Sequence, residues 1–448
     1  MTASKIVAAA ASGAGSKLLD VNDVFSTFLY DGNGSARSIN NGVDLAGKGG
    51  LVWFKQYNTS RDHGLFDTER GTCKYLVTND TAGEATTSTM LSAFNSDGFS
   101  LAGGGGIVNN GTGNYVSYSF RRAEKFFDVV KITGDGTSGR AINHALGSVP
   151  GMIIGKRYDT AGEHFHIYHR SIHGSAPQEY AMQLNRDLGR QDESSYWYDT
   201  APTSTQFTVG NNLNHNGGSF IFYLFAHNNG DGTFGPDGDQ DIIKCGSYNG
   251  DNGSQQINLG FEPQWIIVKN RSYNNTDWGV FDTQRLWWNS SASGDSYWIR
   301  PNNNNAESGI ARFHPTATGF GFVSENGTHT NVSGDNYIYM AIRKGSLSPP
   351  QNAANVFDVD ARTGDSGNQG AFRSTFRVDF ALDRTNRDTT GYTQSSSRLT
   401  GTKRLQTYTA NTESNQSAYE YKYQTGWYTD SGTDSNHFTC MWQRAPKF

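Results

Sequence analysis

Apolar and polar positions follow the same order four times along this chain, at a period of about 100 to 115 residues. Each unit opens with a short apolar strand and a turn of Gly, Asp or Asn, such as Val24 and Phe25 followed by 31–34. Three units then carry a continuous apolar run ending in lysine, at Lys55, Lys156 and Lys269. Each unit closes on an apolar or aromatic segment, at 115–122, 220–227, 337–344 and 437–444. The period matches the length of one β-sandwich domain, so the pattern predicts repeats of one all-β unit.

The closing segments indicate how each unit is built. Residues 115–120 and 337–342 place apolar or aromatic side chains on both alternating sets of positions. This pattern is typical of a strand that is buried on both faces, so we expect the closing strand to lie in the middle of a sheet. Greek-key returns between two sheets would satisfy the order of the segments, and a jelly-roll, lectin-like sandwich is therefore favoured. Propeller blades would be shorter, at about 40 to 50 residues.

The repeat divides the chain into tandem β-sandwich units behind a short N-terminal arm. The predicted boundaries are an arm at 1–19 and units 1 to 4 at 20–123, 124–230, 231–345 and 346–448. The arm consists of small residues with little to bury, so we expect it to anchor the protein to a neighbouring molecule, the alternative being that it packs on unit 1. Residues 346–350 are interpreted as a linker before a divergent unit 4.

Composition narrows the class of partner. Glycine supplies 53 of 448 residues and charged residues only 18%, which suits all-β modules with many tight turns. A net charge of -5 and a pI near 6.1 disfavour nucleic-acid binding. We find no apolar stretch of about 20 residues, so membrane insertion is not expected. Three cysteines spread over three units indicate no disulfide framework, and thus assembly in the reducing cytoplasm of a host cell.

Two matching strings supply the first candidate ligand or packing residues. Asp67 and Arg70 in 63–70 correspond to Asp282 and Arg285 in 278–285. An Asp and an Arg three residues apart can orient a ligand through charge-assisted hydrogen bonds. The favoured alternative is that the aspartate caps a turn and the arginine pairs with it. In unit 2, His169 replaces the aspartate.

Aromatic residues in apparent loops supply the other candidates. Trp197, Trp287 and Trp288 could stack on sugar faces if they are exposed. Packing between domains or subunits is the alternative interpretation for all three.

Neither a metal nor a cofactor is expected. His164, His166, His169 and His173 form the densest histidine cluster, and two of them share a strand face, but the neighbouring residues have no ligand spacing. The acidic loop at 231–241 lacks the calcium-loop pattern. We find no nucleophile elbow, phosphate loop or zinc-protease helix, so no catalytic residue is assigned and an enzyme is disfavoured.

Several strings resemble a known family. Residues 23–34, 66–71, 95–99 and 259–265 are similar to repeated lectin-like modules in virion structural and tail-fibre proteins of marine tailed bacteriophages. The resemblance covers roughly residues 20 to 345, and unit 4 departs from it. It implies a structural protein of the phage particle, but it carries over no binding residue.

The resemblance leads to an expected function. We expect a non-enzymatic virion protein, a tail fibre or tail-associated appendage for host-surface attachment, bound to other virion proteins through its arm and to a host cell-surface glycan. Decoration of the capsid surface or a purely architectural tail role is the alternative, and a carbohydrate-active enzyme is the weaker one. Because positions on a particle are symmetric, a homo-oligomer is expected.

Overall fold

The computed structural model describes residues 18–285, 287, 295–311, 313–322, 329–362, 370–385, 393–401, 403–415, 421, 423–429 and 437–447. The chain is nearly all β, with 43% strand and 5% helix in several antiparallel sheets, which confirms the predicted all-β sandwich class. The α-helices of the described residues are two single turns, α1 (Val21–Val24) and α2 (Ser194–Trp197). None of the helices in these ranges is long and apolar enough to cross a membrane.

Each unit contributes its strands in chain order. Unit 1 holds β1 (Phe25–Asp31), β2 (Arg37–Asn40), β3 (Gly50–Gln56), β4 (His63–Asp67), β5 (Lys74–Val77), β6 (Ala85–Thr86), β7 (Leu91–Asn95), β8 (Gly98–Leu101) and β9 (Asn114–Arg121). Unit 2 holds β10 (Phe127–Thr133), β11 (Arg140–Asn143), β12 (Met152–Arg157), β13 (Phe165–His169), β14 (Tyr180–Gln183), β15 (Gln191–Asp192), β16 (Gln206–Val209) and β17 (Ser219–Phe225).

Unit 3 follows the same scheme, and unit 4 has fewer strands within its described residues. Unit 3 holds β18 (Ile243–Asn249), β19 (Gln256–Asn258), β20 (Pro263–Asn270), β21 (Gly279–Asp282), β22 (Asp295–Trp298), β23 (Ser308–Ala311), β24 (Phe313–Thr316), β25 (Gly319–Phe322) and β26 (Asn336–Arg343). Unit 4 holds β27 (Phe357–Ala361), β28 (Phe380–Thr385), β29 (Thr393–Ser397), β30 (Lys403–Gln406), β31 (Ser414–Asn415) and β32 (His437–Trp442). Short 3₁₀ turns lie at Pro177–Glu179, Asn211–Leu213, Ala353–Asn355 and Arg398–Thr400.

One strand order recurs in the main sheet of every unit. The orders are β1-β9-β3-β4-β5-β6, β10-β17-β12-β13-β14-β15, β18-β26-β20-β21 and β27-β32-β28-β29-β30-β31. The closing strand always lies between the opening strand and the apolar run, as predicted from its two apolar faces. Units 1 to 3 add a second sheet, β2-β8-β7, β11-β16 and β19-β25-β24. The outer face of each main sheet packs against this second sheet, which produces the sandwich.

The inner faces of the first three main sheets meet in one shared core. Equivalent closing-strand residues, Phe120 of unit 1 and Phe225 of unit 2, have ring centroids 5.4 Å apart, and Trp265 of unit 3 lies 5.9 Å from Phe120. A single buried apolar cluster contains residues of all three units. Units 1 to 3 therefore share this core in addition to the cores inside the sandwiches of units 1 and 3, and we call them together the ring (20–345).

Backbone hydrogen bonds close the ring in one rotational sense. The amide just before β6, β15 or β23 donates to the carbonyl of the residue just after β12, β20 or β3 of another unit. The bonds are Glu84 to Tyr158 at 2.7 Å, Arg190 to Arg271 at 3.1 Å and Glu307 to Tyr57 at 2.8 Å. The three acceptors occupy equivalent register positions. Unit 1 thus contacts unit 2, unit 2 contacts unit 3, and unit 3 returns to unit 1, which is the head-to-tail closure of a cyclic trimer.

Unit 4 has a core of its own. The face of its main sheet that corresponds by register to the outer face of units 1 to 3, with Ala381 and Met441, packs on Phe372, Val378 and Trp427 from neighbouring segments. Within its described residues these segments take the place of a second sheet, joined only by isolated bridges. The predicted linker is docked, since the Asp20 carboxylate accepts hydrogen bonds from the backbone amides of Leu347 at 2.7 Å and Ser348 at 3.2 Å.

Candidate functional site

Asp67 and Arg70 form a buried junction between two units of the ring. Both side chains are almost fully excluded from solvent, and Arg70 Nε donates to Asp67 Oδ2 at 2.6 Å. The hydroxyl of Tyr223, from the closing strand of unit 2, donates to the same oxygen at 2.8 Å. Asp67 Oδ1 accepts from the backbone amide of Arg70 at 2.9 Å, which caps the turn after β4. Burial raises the pKa of Tyr223 well above its ordinary value, so the hydroxyl stays neutral and donates.

Asp282 and Arg285 repeat this junction between units 3 and 1. Arg285 Nε lies 2.7 Å from Asp282 Oδ2, and the hydroxyl of Tyr118 donates to that oxygen at 2.7 Å. Glu307 lies 3.1 Å from the other side of the guanidinium. All four candidates are buried at contacts between units, so the structure places them in packing positions. What the sequence did not indicate is the tyrosine from the neighbouring unit.

The third junction, between units 2 and 3, changes every member of the set. His169 stands at the aspartate position, Ile172 at the arginine position and Met340 at the tyrosine position. His169 Nδ1 accepts from the amide of Ser171, so Nε2 carries the proton and donates to the carbonyl of Tyr339 at 3.0 Å. Burial lowers the pKa of His169 to about 3, so the imidazole is neutral. The replacement leaves no unpaired charge at this contact, since acid, arginine and tyrosine are absent together.

A buried lysine also lies at each contact. Lys55, Lys156 and Lys269, the lysines that end the apolar runs, are fully buried. Each donates to a carbonyl of another unit, of Asn304 at 3.0 Å, Thr81 at 3.3 Å and Asp187 at 3.4 Å respectively. Burial lowers the pKa of Lys55 to about 7, of Lys156 to about 8 and of Lys269 to about 7. Carbonyl oxygens accept hydrogen bonds from an amine in either protonation state, so the contacts persist when the lysines lose their charge.

Two of the three tryptophan candidates are buried. The expectation of exposed loop aromatics is wrong for Trp197 and Trp287, which are 2% and 0% exposed. Trp197 packs into the core of unit 2 beside Tyr168, and Trp287 packs on Phe313 in unit 3. Apolar burial outweighs exposure for so large a side chain when the loop folds back onto the sheet. Trp288 lies outside the described residues.

The histidine cluster is divided between two faces. His164 and His166 line a small surface cleft, where His166 stacks on Tyr196 with centroids 3.9 Å apart, while His169 faces the ring core. Among the described residues, no group of three or more His, Cys, Asp or Glu is placed to hold a metal ion. Residues 1–17 of the predicted arm lie outside the described ranges. The carbonyl of Leu19 accepts from the amide of Gly235 at 2.8 Å, which fixes the chain where unit 1 begins.

A large cleft lies between the ring and unit 4. It has a volume of about 490 Å³ and receives residues from unit 1, unit 3 and unit 4. Its walls are rich in amide side chains, namely Asn22, Asn41, Gln264, Gln284, Gln424 and Gln443. The rings of Phe25 and Phe376 supply the apolar part. None of its lining residues is an aspartate or a glutamate.

Three polar atoms in this cleft lack hydrogen-bond partners within the described part of the chain. They are Thr27 Oγ1, Gln284 Oε1 and Arg377 Nε. Thr27 and Gln284 are only 4% and 5% exposed. Buried polar atoms are normally satisfied, so unsatisfied ones just beneath the lining of a cleft mark it as a candidate polar site. This cleft is the candidate functional site, and no sequence motif marks it because its residues are distant in the chain.

An ionic cluster fixes unit 4 beside this cleft. Arg398 of unit 4 contacts Asp379 at 2.5 Å and Glu262 of unit 3 at 3.0 Å. Lys344 also pairs with Asp379, and Arg444 pairs with Glu262. All but Arg444 are nearly buried, so the cluster holds the fourth unit on the ring through charge-assisted bonds.

Comparison with known proteins gives one relationship. Residues 20–344 match a family described as a domain of unknown function, DUF7483. No curated protein matches the chain. The matched region comprises units 1 to 3 together and ends before unit 4, in agreement with the shared core of the ring. Since the match spans well over half of the 448 residues, the chain belongs to the DUF7483 family.

Proposed function

We propose that this protein is a non-enzymatic structural protein of a tailed-phage virion, a tail fibre or tail-associated appendage that attaches the particle to the host surface. The sequence resemblance supplies the particle context. The observation that supports attachment is the amide-lined cleft between the ring and unit 4. The ring provides a rigid mount for it, because three units share one core.

The chemistry of the cleft suits a neutral glycan. Sugar hydroxyls are both donors and acceptors, and so complement amide side chains and the unsatisfied atoms of Thr27, Gln284 and Arg377. Phe25 and Phe376 supply only the edge of the lining, since both rings are almost fully buried, so polar contacts carry the recognition. The volume of about 490 Å³ lies in the usual range of small-ligand sites, which accommodates a short oligosaccharide.

The residues that line the cleft support binding of a glycan rather than its cleavage. Glycoside hydrolysis in most enzymes requires two carboxyl groups that flank the scissile bond. The cleft has no carboxylate in its lining. The adjoining cleft is lined by two acids, Asp20 and Asp23, which form the capping box of α1. Each of their side chains accepts a hydrogen bond from the backbone amide of the other residue.

Replacing Thr27 by valine tests the glycan site. Thr27 Oγ1 has no hydrogen-bond partner among the described residues, so Thr27→Val removes no protein contact and should leave the thermal midpoint unchanged or slightly higher. We expect binding of host surface polysaccharide, measured by calorimetry, to weaken about tenfold, the cost of one hydrogen bond of about 1.4 kcal/mol. Thr208→Val, on β16 of unit 2, is the matched control and should bind as the wild type does.

The particle role requires a separate test. Antibody fragments raised against the protein should label the tail of intact particles and block adsorption to host cells. Labelling of the shell, or adsorption that the fragments do not change, would favour the decoration or architectural alternative. Polysaccharide that is bound and also shortened by the purified protein would overturn the non-enzymatic assignment.

A further inference from the structure

Unit 4 exposes the sheet face that units 1 to 3 bury. The exposed face of unit 4 consists of large apolar side chains on one side of its main sheet: Phe357, Val359, Phe380, Leu382, Leu405, Phe438 and Trp442. Val359 and Leu405 are each 51% exposed, and Phe357, Phe380 and Phe438 are 36 to 37% exposed. Soluble monomers rarely expose so many contiguous apolar residues, so this face indicates a contact surface.

Strand register identifies this face with the inner face of the ring. Phe357 pairs with Trp442 on β32 as Phe25 pairs with Phe120 on β9. Phe380 pairs with the same Trp442 as Leu51 pairs with Phe120. The next positions of the two central strands correspond in the same way, Cys440 to Tyr118 and Leu382 to Trp53, and these two unit 1 residues lie with Phe25, Leu51 and Phe120 in the shared core.

Local packing on the two faces is also similar. The rings of Phe357 and Trp442 lie 5.2 Å apart, and those of Phe25 and Phe120 lie 5.0 Å apart. A basic side chain, Arg384, occupies the register position of Lys55. In the ring, that position donates to a carbonyl of another unit.

The face has an opening where a neighbour would enter. A cleft of about 220 Å³ lies beside Phe380, Ser397 and Leu405. Ser397 holds the register position of Asp67, the residue that receives Tyr223 from the adjacent unit of the ring. The fourth sheet therefore presents both the apolar surface and the receiving position of a ring unit, and no neighbour among the residues that the structure describes fills them.

We infer that unit 4 binds two other copies of unit 4, from two other chains, so that the protein is a homotrimer whose fourth units repeat the head-to-tail packing of the ring. The contact is heterologous, since each copy presents a closing strand to one neighbour and a receiving edge to the other, and such contacts close when the rotation is threefold. Units 1 to 3 show that this sheet closes at three. The inference does not depend on the proposed virion role.

Mass measurement of the full chain tests the inference. Light scattering and mass photometry should give three times the 49.1 kDa chain mass. Val359→Asp should lower the mass threefold, with an unchanged far-ultraviolet spectrum, because it places a charge at the centre of the contact. Val149→Asp in unit 2 makes the same change at a position of similar exposure, 47%, and should leave the trimer intact. A wild-type monomer or dimer, or a trimer that persists in Val359→Asp, would overturn the inference.

Thiol labelling gives a second readout on the same proteins. Cys440 lies on this face at the register position of Tyr118, whereas Cys73 is exposed in unit 1. Maleimide should modify Cys73 in every variant, but Cys440 only in Val359→Asp, as mapped by peptide mass spectrometry. Equal labelling of Cys440 in wild type and variant would contradict burial of the face. Deletion of residues 2–17 tests the remaining candidate occupant of the face, the chain's own arm. We expect the trimer to survive this deletion. If the arm covered the face instead, the full-length protein would already be a monomer.

Discussion

The ring and unit 4 use the same sheet in opposite ways. Phe25 is 1% exposed on the inner face of unit 1, and Phe357, at the equivalent position of unit 4, is 36% exposed. Both sheets have the same strand order, with the closing strand second. The apolar pattern of a strand therefore specifies only that one face of the sheet must pack against a partner. Whether that partner comes from the same chain depends on which units lie next to the sheet in the assembled molecule.

The largest test of this comparison removes one aromatic ring from each face. Phe25→Ala should lower the free energy of unfolding by about 3 to 5 kcal/mol, since it leaves a cavity in the shared core. Phe357→Ala, made in the Val359→Asp background so that no other copy covers it, should cost less than about 1 kcal/mol. Urea unfolding followed by tryptophan fluorescence measures both. Equal losses would mean that unit 4 is covered within its own chain.

The junctions allow a second test, within the ring. Asp282→Ala leaves Arg285 buried without its closest carboxylate, which should cost about 3 kcal/mol. The triple variant Asp282→His, Arg285→Ile and Tyr118→Met copies the third junction and should recover most of that loss, because the guanidinium that Asp282→Ala leaves buried without its closest carboxylate is removed as well. Urea midpoints of the single and triple variants decide the matter. A triple variant less stable than the single one would show that each junction requires its own surroundings.

Titration of the ring lysines predicts a pH dependence of stability. Folding lowers the pKa of Lys55 and Lys269 to about 7, so between pH 7 and 9 the unfolded chain binds more protons than the folded chain does. Stability should therefore rise with pH in this window, by about 1 to 2 kcal/mol for each lysine. Urea unfolding at pH 7, 8 and 9 measures the slope. Lys269→Met should reduce it, and Lys48→Met, at an exposed position, is the control that should not.

The smallest expected effect concerns the attachment of unit 4 to the ring. Glu262→Gln weakens the contacts with Arg398 and Arg444 and should cost about 1 to 2 kcal/mol. Calorimetry should then resolve a separate, earlier transition for unit 4. Glu124→Gln, at a surface position of unit 2, should leave the thermogram unchanged. A variant that still melts in one transition would show that apolar contacts, rather than the ion cluster, couple the two parts.

Much of the fold could be predicted from the sequence. Four repeats of one apolar pattern identified the β units, and apolar residues on both faces of 115–120 placed β9 in the middle of its sheet. These features depend on neighbours in the chain, because side chains alternate with period two along a strand. The pairing of Asp67 with Arg70 is similarly local, since the two residues lie on one tight turn.

Other features arise only from contacts between distant segments. Trp197 and Trp287 lie in segments whose sequence is typical of exposed loops. The folding of these segments onto a sheet buries both side chains. The candidate cleft joins Thr27, Gln284 and Arg377, which are far apart in sequence, so no motif could mark it. Tyr118 and Tyr223 were recognisable as strand residues, but not as donors to a carboxylate of another unit.

The sequence by itself determined that each unit forms a sheet whose side chains alternate between two faces, with an apolar inner face. That outcome follows from local periodicity and turn chemistry. Only the tertiary structure decided that three of these faces close on one another in a ring while the fourth stays open. Closure depends on how sheets fit around a common axis and on which buried charges find partners there, and a linear pattern contains neither distance nor orientation.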